Sequence, residues 1–171
     1  RFVRMVAELT GEIPTPAWPD GLELRPLDLE RDGRGVHAAV EEGFEREWGH
    51  EPRSYEAWAE RAFEVAQFDP ELILVVWDGG EIAAVSLNYP KRLGDWGWIG
   101  TLAVRPAWRR RGLGLALLHE GFCRFAARGE TTAALGVDSE NPTGATRLYE
   151  RAGMRVLWRA DVWRKELRPG A

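Results

Sequence analysis

One cysteine, Cys123, stands in 171 residues, so no intrachain disulfide can brace the chain. That usage fits a reducing cytoplasm, which is the location expected. Cys123 falls in an apolar helical run and is expected to be a structural thiol rather than a nucleophile. Only three histidines occur, His37, His50 and His119, scattered and without a His-Glu-x-x-His pattern, so no metal is expected. No apolar run approaches the roughly eighteen residues of a membrane span, and no secretory apolar segment is present. An excess of positive charge is lacking too. The net charge is −4 and the isoelectric point about 5.5, so a nucleic-acid partner is not expected. Two phosphate-binding signatures also fail. No glycine pair is followed by Lys-Ser or Lys-Thr, and a dinucleotide fingerprint would need glycine where Leu117 stands.

With 44% hydrophobic and 29% charged residues, the chain suits one ordinary globular core. Its nine tryptophans are numerous enough to be expected in cleft walls as well as in the core. Residues 1–9 read as a strand, and Pro14-Thr15-Pro16-Ala17-Trp18-Pro19 as a linker that can form neither ladder nor helix. Leu22–Leu27 alternates as a strand. Val36, Ala39, Val40, Gly43 and Phe44 recur at helical spacing, as do Tyr55, Trp58, Ala59, Ala62 and Val65 after a Ser54 cap. Leu72–Trp77 and Ile82–Tyr89 flank Asp78-Gly79-Gly80-Glu81, a hairpin signal. Trp96–Val104 is a third consecutive strand, Gly112–Ala127 a helix stopped by Gly129, and Val156–Leu167 a final strand or bent pair.

Two blocks carry chemistry. In the first, Val104-Arg105-Pro106-Ala107-Trp108-Arg109-Arg110-Arg111-Gly112-Leu113-Gly114, an apolar strand ends in a proline turn, three arginines and a Gly-x-Gly that opens a helix. A helix start presents unpaired backbone N–H groups and the positive end of the dipole, and glycines let a ligand come close. This arrangement reads as a pyrophosphate cradle. In the second block, Thr131–Val137 reads as a strand. Asn141 can cap a helix of roughly ten residues with Pro142 at its first position, Ala145, Leu148, Tyr149 and Ala152 on one face, and Gly153 at its end.

Arg109-x-x-Gly112-x-Gly114 behind a strand, followed by Asn141 and Leu148-Tyr149-x-x-x-Gly153, resembles the GNAT superfamily of N-acetyltransferases over residues 21–167. Here the tyrosine stands eight residues after the asparagine rather than the commoner seven. The resemblance implies an α/β fold, the GNAT acyl-CoA N-acyltransferase fold, with a mixed, mostly antiparallel sheet flanked by helices. It implies acetyl-CoA as cosubstrate and a small-molecule or peptide amine as acceptor. The pantetheine arm would lie on Leu102, Ala103 and Val104, with a further contact at Asn141. The pyrophosphate would lie on Arg109, Arg110, Arg111, Gly112, Leu113 and Gly114. Tyr149 would be the general acid for the departing thiolate. A CoA-binding or structural domain without catalysis is the alternative.

The positions at which the family carries a base glutamate hold Trp98 and Gly136 here. Asp138, Glu47, His50 and Asp95 are the remaining candidates for that role. The implied acceptor cleft maps to Phe44, Glu47, Trp48, Trp96, Trp98 and Trp158. Residues 21–171 are expected to form the acetyltransferase domain. Residues 1–20 would be a strand and linker that end a preceding, similar domain, because Phe2–Leu9 echoes Ala160–Leu167, both closing on Glu-Leu. Together with the stretch Phe44–His50, this is similar to mycothiol-synthase-like tandem acetyltransferases. A homodimer is the other arrangement considered.

Overall fold

The computed structural model describes residues 2–45, 50–92, 94–138 and 144–160. Strands β1 (Phe2–Glu8) and β2 (Leu22–Arg25) precede helices α1 (Leu29–Phe44) and α2 (Tyr55–Ala62). Strands β3 (Ile73–Asp78), β4 (Glu81–Tyr89) and β5 (Trp96–Val104) follow in succession. Helix α3 (Leu113–Ala127), strand β6 (Thr132–Asp138), helix α4 (Ala145–Arg151) and strand β7 (Arg155–Ala160) complete the described chain. One seven-stranded sheet has the order β2-β3-β4-β5-β6-β1-β7. Every pair is antiparallel except β5 with β6. The expected fold class is therefore the observed one.

Local signals account for most boundaries. Asp28 accepts from the Arg31 N–H at the start of α1, and Ser54 from the Ala57 N–H at the start of α2. Gly129, at φ +80°, follows α3 and turns the chain into β6. Strand β4 is buried on both faces from Ile82 to Tyr89. Its two polar residues pay no penalty for that burial, because Ser86 donates to Asn88 Oδ1 at 2.9 Å and Asn88 Nδ2 to the Leu72 carbonyl at 2.9 Å.

Hydrophobic burial occurs on both sides of the sheet. On one side Val36, Ala39 and Val40 of α1 and Trp58 of α2 cover Val75, Val85 and Leu87. On the other, α3 packs Leu118, Phe122 and Phe125 with Val3, Met5 and Leu135, while its first turn joins Trp108 over Leu74 and Ala84. Among the described residues no helix is long and apolar enough to cross a membrane.

The sequence is misleading at two elements. The sequence predicts that residues 1–9 make their contacts outside this domain. Instead β1 lies in the sheet, antiparallel to both β6 and β7, with Val3 and Met5 in the core. Strands β6 and β7 thus run parallel with a one-strand gap between them, and β1 fills it. Helix α4 is also shorter than expected. Gly144, at φ +72°, is its N-cap, and the helix has seven residues. Asn141 and Pro142, the expected start, lie outside the described residues, as does the expected strand beyond Ala160.

Candidate active site

Strands β5 and β6 pair from Trp96 with Thr132 to Ile99 with Leu135 and then part. The cause lies in β5. Leu87 pairs with Thr101 and Asn88 with Ile99, so Gly100 is an extra residue, a bulge that bends the strand. A Cβ at Gly100 would stand 2.7 Å from the Tyr89 ring, so only glycine fits the bend. The bulge opens a cleft between Gly100–Val104 and Gly136–Asp138, at the C-terminal ends of two parallel strands. Leu102, Ala103 and Val104, the expected pantetheine strand, lie in the stretch of β5 beyond the last β6 pair, with the Ala103 side chain buried on the α1 side.

The arginine–glycine loop follows β5 directly. A 3-10 turn over Pro106–Trp108 leads to Arg110 at φ +62° and Gly112 at φ +88°, the N-cap of α3. Gly112 has no side chain to cap the first helical amides, and nothing lies within 4 Å of where its Cβ would be. The loop is held from outside. Arg105 pairs with Glu42 at 2.5 Å and lies over the Trp108 ring, whose Nε1 donates to Asp78 at 2.8 Å. Arg109 donates to the Val104 carbonyl at 3.1 Å and to the Gly43 carbonyl at 2.7 Å. Arg109 thus ties the loop to β5 and to the end of α1. Arg111 lies 4.0 Å from Asp78, and among the described residues no carboxylate pairs with Arg110.

Gly114 has a different task from Gly112. A Cβ there would meet Leu148 of α4 at 2.8 Å. Its absence lets α4 pack on the first turn of α3, which places Tyr149 next in line. Tyr149 is 9% exposed and belongs to the core that includes Leu118 and Phe122. The loop and the tyrosine helix are therefore one packed unit beside the cleft.

Trp98 and Gly136 lie on the opposite sheet face from α3. Phe2 fills the space over Gly136, where an added Cβ would meet the ring at 2.2 Å. The Arg4 Cζ lies 5.4 Å from the Trp98 ring centre and 5.0 Å from that of Trp158. Of the other expected cleft residues, Phe44 ends α1 beside His50, with ring centres 6.3 Å apart. Trp96 sits at the paired end of β5, away from the opening. Glu47 and Trp48 lie outside the described residues. Among the base candidates, His50 Nε2 is 3.0 Å from Glu41 Oε2. Asp138 ends β6 at the cleft. Asp95 precedes β5 and is about 16 Å along the strand from Gly100, too far to act. Cys123 is half-buried, and burial followed by the Glu120 charge raises its thiol pKa, as befits an inert side chain.

Phe2 and Arg4 are not legible as site residues in the sequence, because the proline-rich linker after β1 reads as a domain boundary. The signal was present as alternation: Phe2, Arg4 and Val6 share one face, and Val3, Met5 and Ala7 the other.

A family model described as the acetyltransferase (GNAT) family matches residues 12–154. The mycothiol acetyltransferase of Thermobispora bispora is 31% identical over 168 residues, 93% of this chain and 55% of that protein. That of Streptomyces coelicolor is 32% identical over 155 residues, 85% and 47% of the two chains. A crystal structure of a GCN5-related N-acetyltransferase from Sphaerobacter thermophilus superposes with a TM-score of 0.78 at 38% identity, over 91% of this chain and 48% of that one. The chain thus spans about half the length of the curated relatives it matches.

Proposed function

Because the chain belongs to the acetyltransferase (GNAT) family, we propose that it moves an acetyl group from acetyl-CoA to a primary amine by direct attack, with Tyr149 as general acid. The observation that carries this reading is the contact of Gly114 with Leu148, which sets the phosphate loop and the tyrosine helix side by side at the β5–β6 opening. The residues fit the cosubstrate. Gly112 leaves an open approach to the amides of residues 110–114, the Arg109 amide being taken by the Pro106 carbonyl, and Leu102–Val104 offer a strand edge beyond the last β6 pair for the pantetheine arm. Bound there, acetyl-CoA supplies the activated acyl group. Arg110 and Arg111 add positive charge near the pyrophosphate, while Arg109 fixes the loop that positions it. Asn141 completes the set as a pantetheine contact.

An amine with a pKa near 10.4 must lose a proton before it attacks. His50 is the candidate base best supported by geometry, since Glu41 can orient its ring as in other base–carboxylate pairs. Tyr149 then gives its proton to the departing sulfur. The relatives' length supports reading this chain as one of two acetyltransferase-like domains, with residues 1–20 as the junction, and the sole cysteine suits a cytoplasmic protein.

Calorimetric titration with acetyl-CoA, followed by steady-state transfer to an amine library, tests the proposal. Binding with turnover is expected. Binding without turnover would favour a CoA-binding domain that has lost catalysis, a reading that rests on Trp98 and Gly136 standing where base glutamates are expected.

A further inference from the structure

We infer that Arg4 is an acceptor-binding residue and that the acceptor amine carries an oxyanion, a carboxylate or phosphate, close to its amino group. This rests on the acetyl-transfer reading above. Strand β1 lies beside β6, and Arg4 pairs with Gly136 in one direction and Trp158 in the other. Its guanidinium reaches across the sheet face to lie within about 5 Å of two indole rings. It therefore stands over the face of β5 and β6 that carries Trp98 and Gly136, opposite to the face that holds Tyr149.

Most arginines with a described ion pair in this chain meet a carboxylate at about 3 Å, including Arg34, Arg124, Arg128 and Arg155. Arg4 is held differently. Two tryptophans clamp it, no described carboxylate pairs with it, and its Nε is buried without a hydrogen-bond partner. Stacking against indoles covers the faces of a guanidinium and leaves its edge, with the Nε–H and Nη–H donors, as the only route to a partner. A buried donor left unsatisfied is costly, and an oxyanion on that edge would make two parallel hydrogen bonds. Trp158 is 38% exposed on β7, the outermost of the described strands, so a small swing of its ring admits a ligand to the edge.

Charge selects the same class. The two strand positions facing this region, Trp98 and Gly136, carry no carboxylate, and Phe2 covers the glycine. A polycationic acceptor would be repelled by Arg4, with Asp138, two residues beyond Gly136 on the same face of β6, as only a partial counterweight. An amine that bears its own anion would be held by Arg4 and flanked by tryptophan.

The test uses matched amines: phenylalanine with phenylalaninamide, β-alanine with β-alaninamide, and O-phosphoethanolamine with ethanolamine. Initial rates with acetyl-CoA should favour the anionic member of at least one pair by tenfold or more in kcat/KM. The carboxylate and phosphate pairs show which oxyanion is read. Arg4→Met, which keeps an apolar stem between the rings, should bring the preferred pair within twofold by weakening only the anionic member. If Arg4→Met fails to fold, Arg4→Gln is read in the same way. Turnover without preference, or an equal loss for both members, overturns the proposal and leaves acetyl transfer standing. Tryptophan fluorescence of the CoA-saturated protein is titrated with the same amines. Without turnover, an anion-specific change that Arg4→Met abolishes supports the Arg4 site and overturns the transfer reading; no such change overturns both.

Discussion

A Cβ on Gly114 would stand 2.8 Å from Leu148 Cδ2, so α3 and α4 meet where there is no room for a methyl group. The second glycine of the Arg109–Gly114 loop is thereby a packing residue for the helix that carries Tyr149. Gly114→Ala should cost about 1–3 kcal/mol by overpacking, offset by up to about 1 kcal/mol of helix propensity. In a Leu148→Ala background the clash is gone, and the same substitution should be neutral or stabilising. A urea double-mutant cycle should then give a coupling of about 0.5–3 kcal/mol. Strictly additive effects would show that the two side-chain positions do not touch.

Gly112 stands in open space, and its requirement for glycine comes from the backbone, at φ +88°. A side chain there costs about 1–2 kcal/mol of fold stability. Gly112→Val should remain folded with a lowered melting temperature. It should lose at least tenfold in acetyl-CoA affinity, which corresponds to about 1.4 kcal/mol, because its branches fill the approach to the loop amides. Calorimetry showing parental affinity in the folded variant would remove the pyrophosphate from this loop.

Removal of residues 1–19 should unfold the domain. Val3 and Met5 are buried, and β1 is the only described strand linking β6 to β7. Burial of two such side chains contributes about 3–6 kcal/mol, and two ladders are lost with them, against a total stability of about 5–15 kcal/mol. The cooperative thermal transition should vanish in a chain starting at Asp20. A peptide of residues 1–10 added in trans should restore it by strand addition. A truncated chain that melts as the parent does would show the gap to be dispensable.

The contrast between β1 and the rest of the sheet marks what sequence could reveal. Asp78-Gly79-Gly80-Glu81, the Ser54 cap and Gly129 are local devices, each readable within a few residues, and each stands where expected. The two glycines of the loop were also visible, but which one packs and which stays open depends on Leu148, thirty-four residues away in the sequence. Strand β1 pairs with residues more than 120 positions later, so no local pattern could reveal its neighbours. Arg4 was hidden with it, since a cation in a strand looks solvated until the tryptophans opposite it are known.

Glu130 lies between α3 and β6, 3% exposed, with the Lys91 backbone N–H as the one group directed at its carboxylate among the described residues. Burial raises its pKa above the usual carboxylate range, and the Lys91 backbone N–H, with the charges of Arg128 and Lys91, only partly opposes this. The folded state therefore favours the protonated form. Stability should fall as pH rises from about 4.3, the unfolded value, through the raised folded value, and then level off. Glu130→Gln should be more stable than the parent at neutral pH and should converge with it at acid pH. Urea midpoints from pH 4 to 8 that run parallel for the two proteins would contradict this.

Tyr149→Phe separates chemistry from packing at the residue on which the proposed mechanism turns. The ring is 9% exposed and packs in the α3–α4 core, so keeping it should preserve the melting temperature within a few degrees. General-acid catalysis contributes about 10²–10⁴-fold, and turnover should fall by that order while acetyl-CoA affinity changes little. The drop should be smaller at low pH, where solvent protonates the departing thiolate more readily. His50→Gln should lower kcat with acetyl-CoA affinity unchanged, if the Glu41-oriented ring takes the proton of the amine. Parental turnover for Tyr149→Phe across the whole pH range would make Tyr149 a core residue and assign the proton to water.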